Sequence, residues 1–336
     1  MKQQKPLFKT AAFAFGLTFI SACAASSDAG SNEDSPYPEE ISLDYAYYSP
    51  TSLVLKEFGW LEEAFEEYGT DIEYVFSQGS NRSLEYLSGG SVDFGSTAGA
   101  AALMAKGNNA PIKNVYIYSQ PEWTALVTAE GSGIESVADL EGKQVAATLG
   151  TDPYIFLIRA LQEHGLSADD LEIVNLQHSD GANALSNGQV DAWAGLDPHM
   201  ARQELETGAE LFYRNESFNT YGFLNVREDF AEEYPEAVEK VIDTYEKARK
   251  WVIDNPEETA EIMAREAQMD EEVAALQLER NNFENPVPGN EHVDSLTEAG
   301  LVLQEAGVME GNLDIEQVVE DLIDPEYSEN VIGNDE

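Results

Sequence analysis

Cysteine, histidine and basic residues are all scarce in this 336-residue chain. A single cysteine excludes a scaffold held by disulfides and a cysteine-rich zinc site. The four histidines are scattered singly, which argues against a histidine-rich metal site; they are His164, His178, His199 and His292. We therefore expect neither a metal nor a cofactor.

Acidic residues far outnumber basic ones, with 64 Asp and Glu against 18 Lys and Arg and a formal net charge of -46. This balance excludes a nucleic-acid binder and a polybasic protein of membrane surfaces, because few cations are available to neutralise phosphates. We interpret the acidic excess as a solvated surface suited to a salty (halophilic) or alkaline habitat. In salt near 1 M the Debye length is about 3 Å, so an incoming anion responds only to local charge. Attraction of a cationic ligand is the alternative interpretation.

Long hydrophobic runs are also missing, apart from the ten residues Ala11–Ile20 near the N terminus. This run follows three lysines and is too short to span a bilayer as a helix, which is typical of an export signal. It ends in Ile20-Ser21-Ala22-Cys23, which resembles the lipobox of bacterial lipoproteins. We therefore predict a signal peptide over residues 1–22 and lipidation at Cys23. A plain secretory signal with an incidental cysteine is the alternative.

The residues after Cys23 are small, polar and acidic as far as two prolines, Pro36 and Pro38. Such a composition cannot bury apolar surface and predicts a flexible tether over residues 23–38. We therefore expect an extracytoplasmic protein that contacts the membrane through its lipid anchor alone.

From residue 43 to about residue 194, strand patterns alternate with amphipathic helix patterns. Val54, Phe58, Leu61, Phe65 and Tyr68 are spaced by four, three, four and three positions, which predicts one face of a helix. The alternation predicts an α/β fold with largely parallel strands. Past Tyr221 the strand patterns stop, so residues 227–309 are predicted to be successive helices and residues 324–336 a frayed acidic tail. The predicted strands are 43–48, 72–76, 92–95, 115–118, 123–128, 144–148, 172–176 and 191–194, and the further predicted helices are 80–87, 98–105, 153–164 and 181–186.

Small, hydroxylated and amide side chains follow five of these strands. In open α/β sheets, ligands bind beyond the carboxyl ends of strands, where helix N-termini present free N–H groups. Each opening alone is equally well explained as a helix cap, but together they predict a cleft for an anionic or zwitterionic small molecule. The candidate ligand-binding residues in these openings are Thr51, Ser52, Gly79, Ser80, Asn81, Arg82, Thr97, Ala98, Gly99, Thr151, Asp152 and Asp197.

Aromatic and charged residues at the same strand ends add to this prediction. Tyr48, Trp123 and Trp193 are candidate pocket walls, although alternation along a strand sends some such residues into the core. Arg82 could hold a sulfonate or carboxylate through two hydrogen bonds, or lie in solvent. Asp152 is either an ordinary helix cap or a pocket residue that favours a ligand with an amine.

Three stretches carry a resemblance to a known family. They are Val92-Asp93-Phe94-Gly95 before a helix of small residues, SVADLEGK at 136–143 and GQVDAW at 188–193. With the strand-end openings, residues 41–310 resemble the substrate-binding proteins of ABC importers for aliphatic sulfonates, taurine and related compounds. The resemblance implies a two-lobed periplasmic-binding-protein-like fold of type II. Each lobe would hold a mixed, mainly parallel sheet flanked by helices, with a hinge of two crossing strands.

The implied lobe boundaries are residues 39–124 with 220–336 for lobe 1, and 125–219 for lobe 2. The resemblance further implies a monomer that is not an enzyme. It would capture a small sulfonate-type anion or zwitterion and deliver it to an ABC permease with its ATPase. Thr151-Asp152-Pro153 departs from the family's run of small hydroxylated residues, and His199 replaces a usual aromatic residue.

Other ligands and functions stay open at this point. The tryptophans favour a ring such as a thiamine-pyrimidine precursor or a riboflavin-like compound, whereas hydroxyl-rich helix starts favour a compact anion, nitrate included. A pyrimidine synthase of the same fold would need a cysteine-rich motif. His178-Ser179-Asp180 has the residue types of a hydrolase triad, but adjacent residues rarely adopt triad geometry. A sensing or adhesion lipoprotein that never meets a permease is a third hypothesis.

Overall fold

The computed structural model describes residues 35–333. The predicted signal peptide, Cys23 and most of the predicted tether therefore lie outside the described residues. The strands are β1 (Glu40–Tyr45), β2 (Asp71–Phe76), β3 (Phe94–Ala98), β4 (Ile112–Pro121), β5 (Thr124–Thr128), β6 (Gln144–Ala147), β7 (Glu172–Asn175), β8 (Ala192–Leu196), β9 (Glu210–Tyr213), β10 (Gly222–Arg227) and β11 (Asn281–Asn282). The helices are α1 (Pro50–Phe58), α2 (Trp60–Phe65), α3 (Ser80–Ser88), α4 (Gly99–Gly107), α5 (Asp152–Glu163), α6 (His178–Ser186), α7 (His199–Thr207), α8 (Glu228–Glu233), α9 (Pro235–Asp254), α10 (Pro256–Ala267), α11 (Glu271–Glu279), α12 (Asn290–Glu305), α13 (Ile315–Leu322) and α14 (Glu326–Ile332).

The strands form two sheets. The first sheet has the order β11-β4-β10-β3-β1-β2 and the second the order β7-β6-β8-β5-β9. In both sheets three strands are parallel, β2-β1-β3 and β7-β6-β8, and the next strand is antiparallel to them. That antiparallel strand is β10 in the first sheet and β5 in the second. Each of these strands directly follows a crossing between the sheets.

The predicted fold class is confirmed: two mixed sheets flanked by helices build a two-lobed α/β structure. Among the described strands, five pairs are antiparallel and four are parallel, because β4, β9 and β11 also pair antiparallel to their neighbours. The chain passes from the first sheet to the second at residues 122–123 and returns at residues 214–221. These two segments are the crossings expected at the hinge.

The alternation of side chains along the strands explains how the second sheet is filled. Leu126, Val145 and Ala147 are buried in one cluster, and Val127, Ala146 and Trp193 in another. Successive residues of a strand point to opposite faces, so β5 and β6 supply both layers. The first sheet packs against its own helices and those that follow β10, in one larger core.

Three expectations about secondary structure are wrong. The helix with its stripe from Val54 to Tyr68 is broken at Gly59, whose φ of 62° ends α1 in a left-handed cap. The strands do not stop at Tyr221, because β10 follows it and lies between β4 and β3. The residues of β10 are almost all buried, so this strand lacks the alternation that marks a strand with one exposed face. The predicted tail is not frayed over residues 326–332, which form α14. Buried Ser328 of this helix donates a hydrogen bond to the Val115 carbonyl.

Within residues 35–333, no helix is long and apolar enough to cross a bilayer.

Candidate functional site

A cavity of about 160 Å³ lies between the two sheets. Both sides contribute walls: segments that follow β1 and β2 from the first sheet, and segments that follow β7 and β8 from the second. We call it the main cavity, and its lining residues are Tyr47, Tyr48, Phe76, Ser77, Gln78, Gln177, His178, Ser179, Leu196, Asp197, Pro198 and His199. Its position at the carboxyl ends of the parallel strands is where ligands bind in open α/β sheets.

A second, much smaller space of about 10 Å³ adjoins the main cavity and shares Tyr48 and Leu196 with it. We call it the minor cavity. It brings together five of the predicted site residues, which come from both sheets and from the first crossing. Its lining residues are Tyr48, Ser80, Trp123, Thr151, Asp152, Pro153 and Leu196.

Three helices of nine residues each begin at the main cavity. The α3 helix starts after Gln78 and Gly79, α6 starts at His178, and α7 starts at His199. The first N–H groups of a helix have no partner within the helix, and its N-terminal end carries a partial positive charge. The starts of α3 and α6 therefore suit the anionic end of a small ligand, whereas the first turn of α7 already donates to a carboxylate, from the Ala201 amide to Asp197 Oδ1 at 2.8 Å.

Asp152, at the start of α5, connects the two crossings. Its Oδ2 accepts hydrogen bonds from Trp123 Nε1 at 2.8 Å and from Thr220 N at 3.0 Å. Its Oδ1 accepts from the Thr220 hydroxyl at 2.7 Å. Burial raises the pKa of this carboxyl, although the Trp123 and Thr220 donors act to lower it. The carboxylate thus binds residues of both crossings.

Asp197 lies directly after β8 and faces a cation from the other sheet. Arg280, which precedes β11, places Nη1 at 3.1 Å from Oδ2 of Asp197, and its other terminal nitrogen pairs with Glu204 on α7. Both Asp197 and Arg280 are almost fully buried. Burial raises the pKa of Asp197 to about 6, against the lowering effect of Arg280. This ion pair joins the two sides of the cleft.

His178 is buried, with 1% of its surface exposed, and its two ring nitrogens have different surroundings. Nδ1 lies 3.2 Å from the Thr148 hydroxyl, whereas Nε2 has no hydrogen-bond partner among residues 35–333. Burial lowers the pKa of His178 to about 3, so the ring is neutral at ordinary pH. The side of His178 with Nε2 faces Gly79, where an added Cβ would lie 2.8 Å from that nitrogen.

Tyr48 is held on the first-sheet side of both cavities. Its hydroxyl donates to the Ser96 carbonyl at 2.9 Å, and its ring meets that of Trp123 edge to face with centroids 5.7 Å apart. The Ser96 amide donates to Asp44, and so does the Ser77 hydroxyl. Burial raises the pKa of Asp44 to about 6. This network fixes Tyr48 and Ser77 as preformed walls.

Most of the other predicted residues are buried near these helix starts, and several are already saturated by internal bonds. The Ser52 hydroxyl donates to the Ser49 carbonyl, and Ser80 Oγ accepts from the Ala98 amide. Thr97 Oγ1 accepts from Asn225, and the Thr151 hydroxyl donates to the Thr148 carbonyl.

The remaining predicted residues differ in their burial and in their hydrogen bonds. Thr51 Oγ1 and Asn81 Oδ1 are buried and have no hydrogen-bond partner in the part of the chain that the structure describes. The Gly99 amide donates to the Tyr221 carbonyl. Arg82 is exposed and pairs with Glu85 at 2.5 Å, and Trp193 lies in the core of the second sheet against Gly181. The structure therefore does not bring Arg82 or Trp193 to the walls of either cavity.

Several lining residues were not among the sequence candidates, and the reason is local. The sequence predicts a helix that begins at residue 181, whereas α6 begins at His178. Gln177 and His178 therefore lie outside the predicted first turn. Arg280 follows a helix in a region that was predicted to be helical throughout, and no motif marks it. Among the described residues, no group of three or more His, Cys, Asp or Glu side chains is placed to hold a metal.

Comparisons with known proteins agree with this architecture. The family model described as NMT1/THI5 like matches residues 54–259. A protein of Bacillus subtilis (strain 168), provisionally named an aliphatic sulfonates-binding protein, is 27% identical over 322 residues, which is 94% of this chain and 96% of the relative.

Two solved structures are similar over most of the chain. The periplasmic aliphatic sulphonate binding protein SsuA from Escherichia coli superposes with a TM-score of 0.72 at 26% identity, covering 84% of this chain and 92% of that one. The alkanesulfonate-binding protein SsuA from Xanthomonas axonopodis pv. citri, bound to MOPS, has a TM-score of 0.77 at 22% identity, covering 84% and 98%.

Proposed function

The chain belongs to the NMT1/THI5 like family, and we propose that it is an extracytoplasmic binding protein that captures a small sulfonate-type anion or zwitterion for an ABC importer. The main cavity carries this proposal. Residues of both sheets line it, and three helices begin at it. A protein that encloses a compact anion between two lobes needs this arrangement, whereas an enzyme would need reactive groups in addition.

The size of the main cavity supports a compact ligand. About 160 Å³ is small beside the roughly 300–1,000 Å³ of pockets that hold larger, drug-sized ligands. A short alkanesulfonate fits this volume better than a riboflavin-like ring system does. The names of the Bacillus subtilis and Escherichia coli relatives, which refer to aliphatic sulfonates, favour the same ligand class.

The cavity's electrostatics suit capture rather than hydrolysis. His178 and His199 are both neutral, since burial lowers their pKa values to about 3 and about 4. Ser179 and Asp180 follow His178 in the first turn of α6, where successive side chains point in different directions. The sequence candidates for a hydrolase triad therefore do not converge, and binding without catalysis is the function we propose.

The importer role adds partners and a location. We propose that the signal peptide 1–22 is removed, that Cys23 is lipidated, and that the tether lets a monomer reach an ABC permease and its ATPase. A Cys23→Ser variant expressed in the native host should appear in the medium or the periplasm instead of the membrane fraction. Retention of that variant in the membrane fraction would contradict the lipid anchor.

A thermal-shift screen of the purified protein tests the ligand class. The panel contains taurine, ethanesulfonate, sulfate, nitrate, an aminopyrimidine and riboflavin, each in about 1 M salt to screen the acidic surface. Ligand at 100 times its dissociation constant adds about 2.7 kcal/mol of stability. We expect this shift with one or more sulfonates. A shift with the ring compounds alone would overturn the sulfonate assignment and keep the binding function.

A further inference from the structure

His178 has one ring nitrogen committed to the protein and one left free. The Thr148 hydroxyl has a single hydrogen, and it donates this hydrogen to the Leu176 carbonyl at 2.7 Å. At the 3.2 Å contact with His178, the same hydroxyl oxygen can therefore only accept. Nδ1 of His178 must then carry the proton. In a neutral ring, Nε2 is left as a bare acceptor.

The direction of Nε2 places this acceptor at the cleft. Thr148 follows β6 and holds Nδ1 on the second-sheet side, whereas Nε2 is turned toward Gly79 at the start of α3. His178 is buried, and Nε2 has no hydrogen-bond partner. Leaving a buried acceptor unpaired costs free energy, and a bound donor at this position recovers it.

Neighbouring walls of the main cavity also offer groups that attract a hydrogen-bond donor or a cation. Gln177 Oε1 is also buried without a partner, so two acceptors lie side by side in the sequence and line one cavity. The rings of Tyr47 and Phe76, tilted by 41° with centroids 4.5 Å apart, line it as well. Aromatic faces attract cations. Within residues 35–333, the only basic side chains that line the cavity are the neutral rings of His178 and His199.

From this arrangement we infer that His178 is a specificity-determining residue: its Nε2 accepts a hydrogen bond from the ammonium or hydroxyl group of the ligand. The substrate class is then a short sulfonate with a hydrogen-bond donor at its other end, such as an aminoalkanesulfonate. The sulfonate group meets the helix starts, and the donor meets His178. The inference rests on the proposed function and names the substrate class within it.

Two substitutions separate the roles of the two nitrogens. The side-chain amide of asparagine can occupy the place of Nδ1 and keep the contact with Thr148, but it does not reach the place of Nε2. The longer side chain of glutamine can place its oxygen near Nε2. His178→Asn should therefore lose the acceptor, and His178→Gln should restore part of it. Urea unfolding of both variants identifies any loss of folding.

Calorimetric titration with taurine, isethionate and ethanesulfonate provides the test, since the three ligands differ at one position only: ammonium, hydroxyl or hydrogen. We expect the wild-type protein to bind taurine most tightly. In His178→Asn, the affinity for taurine should fall tenfold or more relative to ethanesulfonate, and His178→Gln should recover part of this ratio. An unchanged ratio in His178→Asn, with sulfonates still bound, overturns the inference and leaves the proposed function intact. Absence of binding of all three to the wild-type protein overturns both.

Nitrogen NMR of the histidine rings gives a second readout that a purely structural role would not change. We expect the signal of His178 Nε2 to be that of an unprotonated nitrogen in the free protein, and to shift on addition of taurine. A proton on Nε2 in the free protein, or a signal unmoved by bound taurine, overturns the inference.

Discussion

Asp152 Oδ2 accepts a hydrogen bond from Trp123 Nε1 at 2.8 Å, and this bond joins the first crossing between the sheets to the start of α5. The same carboxylate holds Thr220 of the second crossing through two further bonds. Asn219 adds another link, because its side-chain oxygen accepts from the Thr124 amide at 2.8 Å. The two crossings are thus tied to each other at the point where the lobes meet.

Removal of this carboxylate should destabilise the protein without changing ligand preference. In Asp152→Ala the buried Trp123 indole N–H and the Thr220 amide lose their acceptor, at a cost of about 1–3 kcal/mol for each unpaired group. We expect the free energy of unfolding to fall by roughly 2–6 kcal/mol in urea titrations. The exposed Asp169→Ala is the control and should change it little. A selective loss of taurine binding relative to ethanesulfonate in Asp152→Ala would instead make Asp152 a ligand residue.

Gly79 should tolerate no side chain where it faces α6. An added Cβ would lie 2.8 Å from His178 Nε2 and 3.1 Å from Asn81 Oδ1, so the two sides of the cleft could not approach as they do. We expect Gly79→Ala to weaken ligand binding at least tenfold in calorimetric titrations. Gly311→Ala is the matched control, since nothing lies within 4 Å of its added Cβ. Equal affinities of the two variants would show that the cleft has room at Gly79.

The pair between Arg280 and Asp197 should stabilise the closed cleft. Hydrogen bonds to charged groups contribute about 1.5–3 kcal/mol, so a contact made only in the closed form should raise affinity tenfold or more. We expect Arg280→Met to lower ligand affinity by this factor and to enlarge the radius of gyration measured by X-ray scattering with ligand present. Arg214→Met is the control, because Arg214 pairs with Glu122 from crossing to crossing and does not span the cleft. Similar losses in both variants would contradict a closing role for Arg280.

Mild acid should destabilise the protein in part through His178. Its pKa is about 6.5 in the unfolded chain and about 3 in the folded protein, so between these values only the unfolded chain takes up the proton. The resulting contribution to stability is present in full above pH 6.5 and is lost as the pH falls. At pH 5 it amounts to a loss of roughly 2 kcal/mol.

A comparison of the wild-type protein with His178→Asn isolates the contribution of His178 to the pH dependence of stability. Asp44 and Asp197 have raised pKa values and act in the opposite direction between about pH 4 and 6, but they are common to both proteins. We expect guanidinium unfolding at pH 7.5 and 5.0 to show a pH dependence that is about 2 kcal/mol smaller in His178→Asn. An identical pH dependence would mean that His178 is protonated in the folded state.

Arg82 should contribute little to binding, in contrast to its neighbour Asn81. The Arg82 guanidinium is 44% exposed and pairs with Glu85 one turn along α3, and exposed pairs of this kind contribute about 0–1 kcal/mol. Asn81 Oδ1 is buried and has no hydrogen-bond partner. We expect Arg82→Ala to change ligand affinity less than twofold and Asn81→Ala to weaken it clearly. A strong loss in Arg82→Ala would place its guanidinium in the ligand site.

The periodicity of side chains was enough to predict most of the fold. Apolar residues spaced by three and four identified helices such as α5, and short β-rich runs identified the parallel strands, because these patterns depend on neighbours in the chain. The break at Gly59 and strand β10 were missed. A left-handed glycine leaves the apolar stripe intact, and a central strand buried on both faces has no alternation to detect.

The sequence by itself determined the chemistry of the site, since caps, glycines and hydroxyls after the strands are local features. Only the tertiary structure decided which of these residues meet. Asp152 binds Trp123 and Thr220, Arg82 is turned to solvent, and the buried Nε2 of His178 faces Gly79. The pairing of Arg280 with Asp197 joins residues 83 positions apart. Such contacts depend on how two sheets are placed, and no local pattern along the chain encodes them.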